Sequence, residues 1–188
     1  LFVDASADLK MAEEIAVSSK CGRPGVCNAI ENLVVESSIA GEFLPQVAKQ
    51  LTEKGCELIV DETAGNILKD FPTRSASEED FAEEFLDLRL SIKVVDSLED
   101  AISFVNTYGS GHSESIITSN KKRAETFLNA VDASSVYWNA STRFTDGFEF
   151  GLGAEIGIST DRLHARGPMG LEELCTYKYQ ITGNGQWK

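Results

Sequence analysis

Cys27 has the surroundings in this sequence that best suit chemistry. It follows the turn Arg23-Pro24-Gly25, in which proline fixes φ and glycine opens conformations closed to other residues. A thiol on a rigid turn, four residues after a cation, is typical of a cysteine with a lowered pKa, and the N–H groups of a following helix would lower it further. A free cysteine is also often a small buried hydrophobe, so local chemistry leaves both interpretations open.

The remaining metal-binding and redox residues form no recognisable site. The cysteines are Cys21, Cys27, Cys56 and Cys175, none of them in a Cys-x-x-Cys pair, and the chain has 2 histidines. Zinc-ligand spacing is therefore absent, and we expect no metal. Nothing in the sequence points to secretion, so reduced thiols in a cytoplasmic compartment are expected.

The composition is that of an ordinary globular chain of 188 residues, with 42% hydrophobic and 25% charged residues. Its net charge of −13 disfavours nucleic acid and anionic membrane surfaces, because phosphate groups are bound by clustered Lys and Arg. No stretch approaches the ~18 apolar residues of a membrane-spanning helix. We therefore expect neither a nucleic acid nor a membrane as partner.

Short apolar runs alternate with helical patterns over the first 138 residues. Strands are predicted at residues 1–3, 33–35, 57–60, 91–95, 115–118 and 136–138. Helices are predicted from about Leu9 to Ser19 and after the capping residues Ser37 or Ser38, Ser77, Ser97 and Asn120, with a loop at residues 61–77. The alternation predicts the α/β class, with a mainly parallel sheet flanked by helices.

From Asn139 onward, glycines punctuate a long irregular segment of a kind that is usually functional or part of an interface. Residues 139–143 (NASTR) are polar and directly follow a predicted strand. In open α/β sheets, loops at the carboxyl ends of strands hold ligands, so this loop is a candidate binding segment. The tail at residues 177–181 (YKYQI) alternates like an edge strand, which could pair with another chain.

Five segments resemble the γ-glutamyl phosphate reductases, a family within the aldehyde dehydrogenase superfamily. They are residues 2–9 (FVDASADL), 23–29 (RPGVCNA), 108–114 (YGSGHSE), 139–148 (NASTRFTDGF) and 164–171 (HARGPMGL). They fall in the family's order and span nearly the whole chain, so the resemblance is more specific than any single short motif. It implies an aldehyde-dehydrogenase-like catalytic domain and makes Cys27 the expected nucleophile.

The resemblance also implies how the chain is divided. Residues 1–165 are expected to form the catalytic thiol domain, and residues 166–188 a C-terminal segment whose edge strand takes part in homo-oligomer formation. A dinucleotide-binding domain is expected to precede this sequence, which opens on Leu1 without an initiator methionine. The isolated chain is accordingly expected to be inactive.

The reaction implied by the resemblance is the NADPH-dependent reduction of γ-glutamyl phosphate to glutamate 5-semialdehyde, with release of phosphate, in proline biosynthesis. Cys27 would attack the acyl carbon and form a thioester, which hydride from NADPH would reduce. The backbone N–H of Cys27 is a candidate donor to the oxyanion that develops. Two rival hypotheses stay open: a thiol aldehyde dehydrogenase that hydrolyses its acyl-enzyme, and a non-catalytic assembly module.

Such a substrate carries a carboxylate and a phosphate, so its binding needs cations. Arg23 and Arg143 are the candidates, and the alternative is that each pairs with one of the 30 acidic residues at the surface. Ser141 and Thr142 could donate to phosphate or form an ordinary turn, and Asn139 could orient that loop.

Glu84 resembles the superfamily glutamate that holds a cofactor ribose, and it is the candidate NADPH-binding residue. Its segment, residues 83–88 (EEFLDL), departs from the commoner Glu-x-Phe-Gly-Pro pattern. The register between Glu83 and Glu84 is therefore open, and so is the alternative of a solvated carboxylate. Histidine is a common acid–base group near neutral pH, but His112 and His164 are interpreted as structural hydrogen-bonding residues.

Overall fold

The centre of the protein is a seven-stranded parallel sheet, which confirms the predicted α/β class. The structure is a computed structural model and describes residues 1–157 and 159–188. Its strands are β1 (Phe2–Val3), β2 (Asn32–Glu36), β3 (Glu57–Val60), β4 (Thr73–Ser75), β5 (Arg89–Val95), β6 (Ser113–Ile117) and β7 (Ser135–Trp138). Their order is β4-β3-β5-β2-β1-β6-β7, so the first strand of the chain lies in the interior of the sheet.

Helices connect the strands and are mostly capped as predicted. They are α1 (Leu9–Cys21), α2 (Ser37–Glu53), α3 (Glu62–Ile67), α4 (Glu78–Ala82), α5 (Leu98–Tyr108) and α6 (Lys121–Ala130). Side-chain oxygens of Asp8, Ser97 and Asn120 accept hydrogen bonds from the first turns of α1, α5 and α6. Helix α2 differs from the prediction, because Glu36 precedes its first turn and no side chain caps it. None of the helices in the described ranges is long and apolar enough to cross a membrane.

The two faces of the sheet are covered by different helices. Side chains alternate along β1, so Val3 packs on the face covered by α1, α2 and α3, whereas Phe2 packs on the face covered by α5 and α6. Phe2 stacks on Phe127 of α6, with 6.0 Å between the ring centroids. Burial on both faces is what a sheet of parallel strands requires.

Two local predictions between β3 and β5 are wrong. Residues 61–77 are not a continuous loop, because α3 and β4 lie within them, and elements of 6 and 3 residues are too short to leave a periodic signal. The helix predicted after Ser77 ends at Ala82 and does not continue to Leu88. Glu83 adopts an extended backbone conformation that ends the helix, and Leu86, with a φ of 55°, prevents it from resuming before Leu88.

The C-terminal tail contains the segment expected to form an edge strand, and its pairing with another chain stays a prediction. Residues 177–181 are exposed and form no strand within the described part of this chain. Large apolar side chains of the tail are exposed at Leu171, Leu174, Tyr177, Tyr179, Ile181 and Trp187. The alternating pattern therefore belongs to a segment whose apolar side chains this chain does not bury.

Asp4 anchors the carboxyl end of β1 and is fully buried. Its carboxylate accepts hydrogen bonds from the Ser6 N–H (3.0 Å), the Ser6 hydroxyl (2.7 Å) and the Thr118 hydroxyl (2.8 Å), and it pairs with Arg123. Arg123 also pairs with Glu36 at the end of β2. Burial opposes the ionisation of Asp4, but these hydrogen bonds outweigh it, and the pKa of Asp4 is lowered.

Replacing Asp4 with asparagine is expected to lower the free energy of unfolding by about 2 kcal/mol near neutral pH. Because the pKa of Asp4 is lower in the folded state, its stabilisation is complete above the unfolded value of about 4 and is lost as the pH falls below that value. The difference between wild type and Asp4→Asn in urea unfolding should therefore shrink on acidification. Asp70→Asn changes an exposed carboxylate and serves as the control. A difference that stays constant with pH would contradict the ion-pair account.

Candidate active site

The turn that carries Cys27 connects the end of α1 to the start of β2. Its two ends are held together by Lys20, whose buried ammonium group lies 2.5 Å from the carboxylate of Glu31. The N–H of Ile30 also donates to the carbonyl of Ser19 at 3.3 Å. The turn is therefore a short loop with a clamped base, which restricts where it can place the thiol.

Close packing brings the segment after α4 against this turn. A Cβ atom on Gly25 would lie 3.3 Å from the carbonyl oxygen of Leu86, so a side chain here would force the two backbones slightly apart. The positive φ of Leu86 reverses the chain at the contact. Glu84 consequently lies beside the turn, where its charge acts on Cys27.

Asn28 ties the turn to the segment that follows β7. Its side chain is buried, and its amide nitrogen donates to the carbonyls of Thr145 (2.8 Å) and Arg143 (3.4 Å). Its side-chain oxygen accepts a hydrogen bond from the guanidinium of Arg143. Its backbone carbonyl accepts from the hydroxyl of Thr142 at 2.7 Å. The residue next to the thiol thus fixes Arg143 with respect to Cys27.

Residues 139–145 fold back along β6 instead of leaving the sheet. Asn139 has a φ of 54°, and its side-chain amide pairs with the backbone N–H and carbonyl of Thr118, at 2.9 and 3.0 Å. Further along, the hydroxyl of Ser113 donates to Thr145 Oγ1 at 2.7 Å. The segment therefore crosses β6 from its carboxyl end to its amino end.

The candidate site around Cys27 consequently lies at the amino edge of the sheet, although the loop that carries Arg143 starts at the carboxyl edge, as predicted. Residues that border it with Cys27 precede or begin β2, β6 and β7: Glu31, Asn32, His112, Ser113 and Ser134. The reason is the return of residues 139–145. A loop that starts at the carboxyl end of β7 delivers Arg143 to the opposite edge.

Cys27 is exposed and lies between two adjoining hollows. The larger one, which we term the thiol cavity, measures about 520 Å³ and is bordered by Cys27, Glu84, His112 and Glu155. A smaller cleft of about 120 Å³ also borders Cys27 and Glu84 and extends to Tyr108. A cavity of several hundred Å³ with a few convergent polar groups is typical of a small-molecule site.

The electrostatics of the site correct the expected state of the thiol. Burial raises the pKa of Cys27, Glu155 and Glu84 raise it further, and the residue's own backbone N–H and Arg143 only partly offset them. In the described chain no helix begins directly after Cys27, since the turn leads into β2, so the helix N–H groups considered above are absent. Among the largest influences on the pKa of this thiol, the cation is Arg143. The resting thiol is therefore protonated near neutral pH.

The predicted substrate residues fall into two kinds. Arg23 is exposed, and no hydrogen bond or ion pair joins it to another described residue, whereas Arg143 is half-buried on Asn28. Ser141 and Thr142 are buried, and their hydroxyls are engaged inside the protein, that of Ser141 with Ser19 at 2.6 Å. These bonds favour the turn interpretation of the two hydroxyls. Substrate contacts of all four residues stay predictions.

Glu84, more than Glu83, faces the thiol. Both border the smaller cleft, but Glu83 lies 3.7 Å from Arg89, whereas Glu84 also borders the thiol cavity. The register left open by the sequence is thus better matched by Glu84. Its cofactor role stays a prediction.

Sequence reasoning missed Glu155 altogether. It reaches the thiol cavity because the chain reverses tightly before it, where a Cβ on Gly147 would lie 2.1 Å from the carbonyl oxygen of Ala154. This reversal occurs in a glycine-rich segment without a period, so no sequence signal distinguishes Glu155 from the other carboxylates. Across the described residues, no group of three or more His, Cys, Asp and Glu side chains is placed to hold a metal.

Comparison with known proteins relates the chain to a family. It matches the model of the aldehyde dehydrogenase family over residues 83–178, about half of its length, a range that begins after Cys27. It is 54% identical over 186 residues to the γ-glutamyl phosphate reductase of Clostridium botulinum, an alignment covering 99% of this chain and 44% of that protein. The chain thus spans less than half the length of the curated relatives it matches.

Solved structures give the same relationship at the level of the fold. The crystal structure of γ-glutamyl phosphate reductase from Thermotoga maritima has a TM-score of 0.92 and 49% identity, covering 100% of this chain and 45% of that chain. A lactaldehyde dehydrogenase structure has a TM-score of 0.60 and 18% identity, covering 74% of this chain and 38% of that chain, which is a likeness of fold alone. The expected aldehyde-dehydrogenase-like fold is confirmed.

Proposed function

The chain belongs to the aldehyde dehydrogenase family, and on that premise we propose that it carries the thiol part of a γ-glutamyl phosphate reductase. The observation that carries the proposal is an exposed thiol on a clamped turn, beside an arginine that the same turn holds in place. Residues 1–165 act as the catalytic domain in this proposal, and residues 166–188 as a C-terminal assembly segment. The nucleotide-binding domain of the full-length enzyme lies outside this sequence.

In the proposed reaction the sulfur of Cys27 attacks the acyl carbon of γ-glutamyl phosphate. The carbon–oxygen bond to phosphate breaks, and phosphate leaves with the bonding electron pair while a thioester forms on Cys27. The backbone N–H of Cys27 donates to the oxyanion that develops on the acyl oxygen. Reduction of the thioester releases glutamate 5-semialdehyde and frees the sulfur, a step of proline biosynthesis.

Arg143 is suited to an anionic substrate because of how Asn28 holds it. A guanidinium presents five N–H donors in a rigid fork, and Asn28 accepts from one terminal nitrogen, which leaves other donors for a phosphate or carboxylate. Asn28, which holds Arg143, directly follows Cys27, so an anion bound to Arg143 lies near the thiol. Arg23, exposed on the same turn, is the second candidate.

Glu84 is assigned to the ribose of NADPH, because its exposed carboxylate borders the thiol cavity and can accept hydrogen bonds from ribose hydroxyls. Ser110 and Thr160 border the same cavity, so its lining is polar enough to fit one end of such a molecule. When bound, NADPH supplies the hydride that reduces the thioester. Gly109-x-Gly111 lacks a third glycine and follows helix α5, so pyrophosphate binding is assigned to a separate domain.

Replacing Arg143 with methionine, in a full-length enzyme that carries this sequence, is expected to raise KM for γ-glutamyl phosphate by about tenfold to a hundredfold. That range corresponds to the loss of a hydrogen bond to a charged group. Arg23→Met, on the turn that carries Cys27, is the matched variant, and the loss of this exposed charge is expected to change KM by less than about threefold. Steady-state kinetics measures both variants. A larger effect at Arg23 would reverse the assignment.

Phosphate dependence of the reverse reaction tests the proposed function. With glutamate 5-semialdehyde and NADP, the full-length enzyme should form NADPH only when inorganic phosphate is supplied, because phosphate is the acyl acceptor. NADPH formation without phosphate would indicate a hydrolytic thiol aldehyde dehydrogenase, and none under either condition would indicate a non-catalytic assembly module. The isolated chain is the control and should be inactive, because hydride transfer needs a cofactor held against the thiol.

This proposal implies that the full-length protein forms a homo-oligomer and works in a reducing compartment. Exposed apolar side chains between residues 171 and 187 support assembly through the C-terminal segment, since an extended segment can add to the edge of a neighbouring sheet. All four cysteines are free, which suits the cytoplasm.

A further inference from the structure

His112 is a titratable group at the thiol cavity that the proposed reaction has not yet used. Of the two histidines, His112 borders the thiol cavity together with Cys27, whereas His164 is exposed and its Nδ1 lies 2.9 Å from the carbonyl of Ala165. The sequence favoured a structural role for both. The hydrogen bonds and charges around His112 indicate a chemical role as well.

A chain of hydroxyl groups fixes the imidazole ring and its tautomer. Nδ1 of His112 lies 2.7 Å from Ser113 Oγ, and the Ser113 hydroxyl donates its proton to Thr145 Oγ1 at 2.7 Å. The hydroxyl of Tyr137 lies 2.8 Å from the same Thr145 oxygen. Because the proton of Ser113 is directed to Thr145, its oxygen accepts from His112, which requires a proton on Nδ1. Nε2 is then the ring nitrogen that carries a free lone pair.

The backbone around His112 is also fixed. Its carbonyl accepts hydrogen bonds from the Ser134 hydroxyl (2.5 Å) and the Ser135 N–H (3.1 Å), at the start of β7. The guanidinium of Arg166 donates to the carbonyl of Gly111 at 3.1 Å. The imidazole is therefore held in one orientation before any substrate arrives, as a catalytic group requires.

The charges around the site suit a proton transfer from the thiol to this ring. Burial lowers the pKa of His112, and Glu155 and Glu84 oppose this effect only in part, so the ring is neutral near neutral pH. The same two carboxylates act on Cys27, whose thiol keeps its proton. An imidazolium formed at His112 would face Glu155 and Glu84, while Arg143 would stabilise the thiolate.

We propose that His112 accepts the proton of the Cys27 thiol as the sulfur attacks the acyl carbon, a role that rests on the proposed function. The S–H bond breaks and its proton binds Nε2, the S–C bond forms, and the carbon–oxygen bond to phosphate breaks with its electron pair on the phosphate. The imidazolium then returns its proton to the departing phosphate. His112 is a catalytic base in this account. A base is needed because the thiol of Cys27 keeps its proton until the attack.

Alkylation of Cys27 by iodoacetamide over a range of pH tests this role without substrate or cofactor. In the wild-type chain, the rate should rise as His112 loses its proton, below its ordinary value of about 6.5. In His112→Gln the rate should rise only as the thiol itself ionises, and near neutral pH it should be lower by about tenfold or more. Peptide mass spectrometry measures the labelling of each cysteine.

The chain offers matched controls for this experiment. His164→Gln changes the exposed histidine outside the cavity and should leave the profile of Cys27 unchanged. Cys175 is exposed and provides a reference rate in every sample. Coinciding Cys27 profiles in wild type and His112→Gln would overturn the proposal.

Two further readouts decide the question even where His112→Gln does not fold. Ser113→Ala keeps the imidazole but removes the acceptor of its Nδ1 proton, and it should slow alkylation in the same direction by a smaller factor. A wild-type profile that follows only the thiol's own titration, together with no change in Ser113→Ala, would refute the role of His112. That result would not refute the proposed function, because the function is tested by phosphate-dependent turnover and the alkylation experiment does not measure turnover.

Discussion

Replacing Cys27 with serine, in a full-length enzyme that carries this sequence, is expected to slow the reduction of γ-glutamyl phosphate by about 10³-fold or more. A hydroxyl ionises far less readily than a thiol, and the carboxylates of Glu84 and Glu155 beside it oppose an anion at this position still further. Consumption of NADPH measures the rate. An acyl adduct on the residue measures the first chemical step separately.

Cys175→Ser is the matched control, because Cys175 is exposed and borders neither hollow. This variant should keep full activity. With γ-glutamyl phosphate and no NADPH, mass spectrometry should find a glutamyl adduct on Cys27 in wild type and Cys175→Ser. An undiminished rate of reduction by Cys27→Ser would contradict the thioester mechanism.

Replacing Asn28 with alanine is expected to lower turnover by about a hundredfold and the free energy of unfolding by about 1–3 kcal/mol. The change leaves the buried carbonyl of Thr145 without its donor and releases Arg143 from the turn. The thiol and the guanidinium then lose their fixed relative position, although both are still present. Kinetics and urea unfolding on the same preparation measure the two effects.

Asn129→Ala is a suitable comparison, since Asn129 is an exposed asparagine of α6 whose amide donates to the carbonyl of Glu125. It should change both quantities little. If Asn28→Ala loses stability but keeps full turnover, Asn28 supports the fold and does not position the site.

The larger elements of the fold follow from the sequence because their apolar residues repeat with a clear period. The bounds predicted for β3, Glu57–Val60, are those observed, and Asn120 marks the start of α6. The order of the strands does not follow in this way. It depends on pairings such as Phe2 with Ile116, between residues far apart in the chain, which no local pattern contains.

The reactive residue of the candidate site is easier to predict than its electrostatics. The Arg-Pro-Gly turn singles out Cys27 but leaves a reactive and a buried thiol both open, and the structure shows that Cys27 is exposed. The pKa of its thiol depends instead on Glu155 and Arg143, which distant chain reversals bring to the turn. One of these reversals needs a positive φ at Asn139, a conformation that asparagine tolerates but that the sequence does not impose.

The first strand of the sheet has a consequence for synthesis of the protein. β1 is 2 residues long and lies between β2 and β6. β2 follows soon after β1 in the chain, whereas β6 is translated only when synthesis has passed Ser113. Pairing across such a separation is slow compared with local contacts. The nascent chain therefore passes through a stage in which one flank of β1 is open, and at that stage the strand is accessible to a chaperone or to another growing polypeptide.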